Sequence, residues 1–195
     1  LFARDGLEAL IDEVEAAGAR RIIIVAHSLG SMLTMEVLRQ MAIARPGSVS
    51  RRVAGVILLS PDLDVDVFRR QAARIGRLPQ PFGIFVSKRD RVLALSARLS
   101  GERNRLGNVN SVQQVADLDV TIVDVTEFSR GLGHLTAATS PALIELFSRA
   151  PDIDAAFEGA SAGRAGLFPG TVLTVQNATE IILSPVTELG RALAQ

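Results

Sequence analysis

From Leu1 to Ala17, Leu7, Leu10, Ile11 and Val14 recur at helical spacing among Asp5, Glu8, Asp12, Glu13 and Glu15, and Gly18 ends the pattern. This predicts a surface helix. The period then changes. Arg21 leads into Ile22-Ile23-Ile24-Val25-Ala26, a continuous β-branched run of the kind expected for a strand buried on both faces of a parallel sheet. After the turn His27-Ser28-Leu29-Gly30, the stretch Ser31 to Ala44 returns to helical spacing with Leu33, Val37, Leu38 and Met41. Strand, tight turn and helix follow one another in order.

The unit repeats. Val53 to Leu59 reads as a second buried strand, Asp64 to Ile75 as a helix, Phe82 to Val86 as a third strand and Leu93 to Leu99 as a helix. Gly101 to Asn110 reads as a polar loop, Val120 to Val125 as a fourth strand, and Ser140-Pro141 opens a helix through Phe147. This alternation predicts an α/β fold: a three-layer sandwich around a mostly parallel sheet, with helical crossovers. Residues 1–150 are expected to form that domain. Beyond Ala150, Gly, Ala and Ser dominate up to Gly166, and Thr171 to Gln176 and Glu180 to Leu183 suggest two short strands or a hairpin. Residues 151–195 therefore stand as a C-terminal extension to which the pattern gives no role.

Composition narrows the function classes. With 48% apolar and 22% charged residues over 195 positions, the chain has material for one sizeable core. Its 21 basic and 21 acidic residues cancel, so no long-range field draws it to nucleic acid or an anionic membrane. No stretch approaches the roughly 20 apolar residues of a membrane span. The absence of cysteine excludes a thiol nucleophile and a disulfide framework, and leaves the compartment open. Two histidines and no cysteine make a metal centre a poor expectation, and no glycine-rich phosphate loop follows any strand. The chain starts at Leu1, directly inside a helical pattern, so an N-terminal portion, with any signal or anchor it carries, is expected to be missing.

Ala26-His27-Ser28-Leu29-Gly30 has the form of a nucleophile elbow, with serine on a strained turn between a buried strand and a helix. Small residues two before and two after the serine suit a close approach of strand and helix, and alanine fills the first of these positions. The competing reading is that Ser28 only caps the helix. A serine hydroxyl needs a base within hydrogen-bond reach. His27 sits beside the nucleophile, where its side chain must diverge from that of Ser28. His134, in Arg130-Gly131-Leu132-Gly133-His134 after the fourth strand, is the better base. Asp90, closing Val86-Ser87-Lys88-Arg89-Asp90, holds the position expected for the orienting acid, and Asp62 in Ser60-Pro61-Asp62 is its rival. The Leu29 amide would be one oxyanion donor. A second donor should come from a loop after an earlier strand, and no such strand lies ahead of the first helix. Phe68, Ile75, Leu78 and Phe82 either line an acyl pocket or pack a crossover helix onto the sheet.

Ile23 to Met35, Leu58-Leu59-Ser60-Pro61-Asp62-Leu63-Asp64, Ser87-Lys88-Arg89-Asp90-Arg91-Val92-Leu93 and Gly133-His134 together resemble a bacterial α/β-hydrolase family of unknown function, in the esterase/lipase superfamily. The resemblance runs from about Leu7 to Phe147. It implies Ser28, Asp90 and His134 as a triad, hydrolysis of a carboxylic ester without a cofactor, and a preceding segment that carries a His-Gly oxyanion turn. The expected partner is a small or lipid-like ester. The alternative is a catalytically impaired domain of the same fold that binds or scaffolds. Substrate, oligomeric state and localisation do not follow from the sequence.

Overall fold

The computed structural model of the chain describes residues 2–101, 104–109, 111–126, 170–175 and 178–183. Helix α1 (Phe2–Ala16) leads to strand β1 (Ile22–His27), helix α2 (Leu29–Ala44), a short helix α3 (Ser48–Arg52) and strand β2 (Val53–Leu59). Helix α4 (Val65–Ile75), strand β3 (Phe82–Val86), helix α5 (Arg91–Ser100), two 3-10 turns (Leu106–Asn108 and Val112–Val115) and strands β4 (Thr121–Asp124), β5 (Gly170–Val175) and β6 (Ala178–Leu183) complete the order.

The strands form one sheet in the order β1-β2-β3-β4-β6-β5. The first four and β6 run parallel, and β5 returns antiparallel along β6. Two strands from beyond residue 150 thus belong to the same sheet as the four before it, forming the expected hairpin between 171 and 183. Among the described residues, no helix is long and apolar enough to cross a membrane.

Burial explains why β2 and β3 are uniformly apolar. Val56, Ile57, Leu58, Ile84 and Phe85 are fully enclosed, each such side chain contributing about 1.5–3 kcal/mol when removed from water. Met35, Leu38 and Met41 of α2 cover the sheet, and α2 in turn packs against α1 and α4. Phe68 of α4 meets Phe82 of β3 with ring centroids 5.9 Å apart, and both are buried. Along with Leu78, these rings belong to the core. They pack the crossover helix onto the sheet, with Ile75 against the same core.

Three local readings change. The Ile22 to Ala26 run was expected to be buried on both faces, yet Val25 is 53% exposed, because β1 is the edge strand of the described sheet. A hydrophobic run alone cannot distinguish an edge from a centre. Within Gly101 to Asn110, expected as a polar loop, the turn at Leu106–Asn108 points inward: Leu106 is fully buried, with Gly107 beside it. Ser48–Arg52 is a helical turn that had no periodic signal; Arg52 on it ties back to α1 through Glu15 at 2.6 Å and through Asp12.

Candidate active site

Parallel strands place β1, β2 and β3 with their C-terminal ends on one sheet edge, and every residue singled out in the described part of the site lies there. Ser28 follows β1 directly. Its backbone adopts φ 54° and ψ −125°, a conformation that a residue with a Cβ occupies only at a cost of about 1–3 kcal/mol. Three neighbours hold it there. The Ser28 N–H donates to the Leu59 carbonyl at 3.0 Å, and the Ser28 carbonyl accepts from Ser31 N–H at 3.0 Å and from Asp62 N–H at 3.2 Å. The strained serine is therefore pinned to the end of β2.

Although Ser28 stands at the N-cap of α2, its hydroxyl makes no capping bond. The cap reading of this serine is thus not what the turn displays. Leu29 is the first residue of α2, so its N–H is among those with no acceptor inside the helix. The same helix end carries partial positive charge. Ala26 is buried, as the elbow pattern requires, and Ser31 bonds back to its carbonyl through Oγ at 3.3 Å. Gly30 differs from expectation: a Cβ built there would meet nothing within 4 Å among the described residues. Crowding at that position does not explain the glycine. His27 closes β1 and is half-buried.

Asp90 is 98% removed from solvent at the N-cap of α5, with an exposure of 2%. Its Oδ1 accepts from Val92 N–H and Leu93 N–H, both at 3.0 Å. β1 and β3 flank β2, so two strand spacings, about 10 Å, separate the strand ends that carry Ser28 and Asp90. Asp62 is committed elsewhere: Ser96 Oγ donates to both of its carboxylate oxygens at 3.0 and 2.8 Å, and Arg105 Nε lies 3.2 Å from Oδ1. His134 lies outside the described residues.

The turn before Asp90 is anchored by groups that sequence reasoning did not single out. Ser87 N–H donates to the Gly107 carbonyl at 2.9 Å, and Gly107 N–H donates to Pro61 at 3.0 Å. A Cβ on Gly107 would fall 2.8 Å from the backbone of Ser60 and Pro61. One glycine thus joins the turns after β2 and β3.

Lys88 reaches Asp124 Oδ2 at 2.9 Å and Glu180 Oε1 at 3.9 Å, and its N–H donates to Thr126 Oγ1 at 2.9 Å. The bond to Asp124 raises the Lys88 ammonium above its ordinary range against the effect of burial. Burial pushes the Asp124 carboxyl up, but Thr126 and Lys88 together hold it below its ordinary range. At Glu180 burial prevails and raises the carboxyl despite Lys88. The only sequence signal for this group was the proximity of Lys88 to Asp90; its pairing with strands β4 and β6 crosses too much sequence to be read from spacing.

A family model described as alpha/beta hydrolase of unknown function (DUF900) matches residues 1–150. No curated protein and no solved structure matches the chain.

Proposed function

The chain belongs to that family of α/β hydrolases of unknown function, and from this premise we propose that it is a serine hydrolase cleaving carboxylic esters through an acyl-enzyme on Ser28. The observation that carries the reading is the strained turn at Ser28, which sets a serine at the N-terminus of α2 on the sheet's C-terminal edge. Backbone strain of this kind clusters at active sites.

In this reading Ser28 Oγ attacks the ester carbonyl as His134 takes its proton. The tetrahedral oxyanion receives the Leu29 N–H, assisted by the positive end of α2. Collapse expels the alcohol, protonated by His134, and leaves the acyl group on Ser28. Water activated by the same imidazole then releases the acid and restores the serine. Asp90 orients the imidazole. Its support over Asp62 is positional and chemical: Asp90 stands on the turn directly after β3 and its two cap bonds both fall on Oδ1, whereas Ser96 engages both carboxylate oxygens of Asp62 and Arg105 lies against Oδ1.

The test uses a fluorophosphonate probe together with p-nitrophenyl acetate and butyrate on the wild type, Ser28→Ala and His134→Ala. Labelling and turnover by the wild type, with both lost in the two variants, are the expected result. A folded wild type that does not label overturns the catalytic reading and favours a binding domain of the same fold.

A further inference from the structure

Asp124 and Glu180 sit on one face of neighbouring strands. β4 and β6 pair Ile122 with Glu180 and Asp124 with Ile182, so the two carboxylates are diagonal neighbours, about 7–8 Å apart along the backbone. Both are buried, at 3% and 8% exposure. Two acidic groups so placed repel each other and lose hydration, and the Lys88 ammonium is the cation that offsets both costs.

Lys88 is more than a counter-ion. Its side chain and its backbone end on the same short segment, the ammonium on Asp124 and the N–H on Thr126 Oγ1. Thr126 N–H closes the ring by donating to Asp124 Oδ1 at 2.9 Å, and Val125 N–H donates to Val86 at 2.9 Å. On one side of this ring, two residues on from Lys88, is Asp90. On the other side, eight residues on from Thr126, the chain carries His134.

We propose that Lys88, Asp124 and Thr126 form a clamp that fixes the turn bearing Asp90 against the end of β4, with Glu180 as its outer support, so that these are positioning residues for Asp90. This rests on the reading of Ser28, Asp90 and His134 given above. The perturbed Lys88 and Asp124 ionisations are consistent with a tightly held pair.

The test is the rate constant of fluorophosphonate labelling, normalised to the number of serines that label at completion, so that misfolded molecules lower the end-point and not the rate. Lys88→Gln should slow labelling by about 10- to 100-fold, the range expected when a catalytic group is misplaced, and Lys88→Arg should recover most of that loss. In an Asp90→Asn background, Lys88→Gln should cost nothing further, because the clamp acts through Asp90. Thr126→Val, with Thr126→Ser as its conservative control, makes the same measurement if Lys88→Gln does not fold. A wild-type rate in Lys88→Gln, or an equal loss with and without Asp90, overturns the clamp while leaving the hydrolase intact. Absence of labelling in the wild type overturns both.

Discussion

The two ends of the candidate site are held in different ways. At β1, Ser28 is fixed almost entirely by main chain: an unusual φ, two carbonyl–amide bonds to the end of β2 and the neighbouring turn, and the first turn of α2. At β3, Asp90 is fixed by a helix cap and by side chains from remote parts of the chain, with Gly107 wedged under one turn and Lys88 reaching to β4 and β6. A nucleophile must be presented in one conformation, which a local turn can impose. An acid must keep its distance to a partner on another loop, which needs cross-links between loops.

The comparison breaks most visibly at Asp90. Asp90→Ala removes the cap of α5, at a cost of about 1 kcal/mol, and should slow Ser28 labelling by about 10²- to 10⁴-fold if the acid orients the base. Kinetics of labelling beside a thermal melt separate the two effects, and an unchanged rate would exclude Asp90 as the acid. Next comes Gly107→Ala. Its Cβ has nowhere to go between Leu93 and the Ser60–Pro61 backbone, so we expect a loss of about 1–3 kcal/mol, seen as a melting point lower by several degrees. An unaltered melt would mean that the two turns can separate freely.

On the elbow side, the acid limb of stability offers a sharper contrast. Glu36 of α2 is lowered from 4.5 to about 2, first by the hydrogen bond from Arg39, against burial, and then by Gln71 and Arg4. Because its folded value is depressed, its contribution is complete above the unfolded value near 4.5 and is lost as pH falls toward 2. The melting-point difference between wild type and Glu36→Gln should therefore shrink over that window; a difference independent of pH would contradict the ion-pair cluster. The smallest effect is Gly30→Ala. With nothing among the described residues within 4 Å of a Cβ there and a helical position to gain from, the variant should melt at the same temperature or be stabilised by up to about 1 kcal/mol. Destabilisation would reveal a close approach to Gly30.

Much of the fold could be read from local pattern. Val53–Leu59 and Phe82–Val86 are strands at the expected residues because fully buried parallel strands need no polar alternation. The elbow was legible for the same reason: it is a contiguous motif whose context, strand before and helix after, is also contiguous. What escaped was long-range. Nothing in Leu106-Gly107 distinguishes it from surface loop until the turns after β2 and β3 close around it. Lys88, flanked by Arg89, Asp90 and Arg91, reads as one more solvated charge until β4 and β6 bring Asp124 and Glu180 alongside. The exposure of Val25 likewise depends on which strand has a neighbour on each side, a property of the sheet and not of the run.

The pairing of β6 with β4 also sets an order of events during synthesis. A nascent chain that has emerged as far as Thr126 already contains Ser28, Asp90 and four parallel strands, but not Glu180. The β4–β6 seam joins positions widely separated along the chain, and contacts of such sequence separation form late because bringing distant positions together costs chain entropy. Ribosome-bound intermediates should therefore hold the serine turn and the contacts of Lys88 with Asp124 and Thr126 before Glu180 arrives, so that the outer support of the acid turn is the last part added by translation.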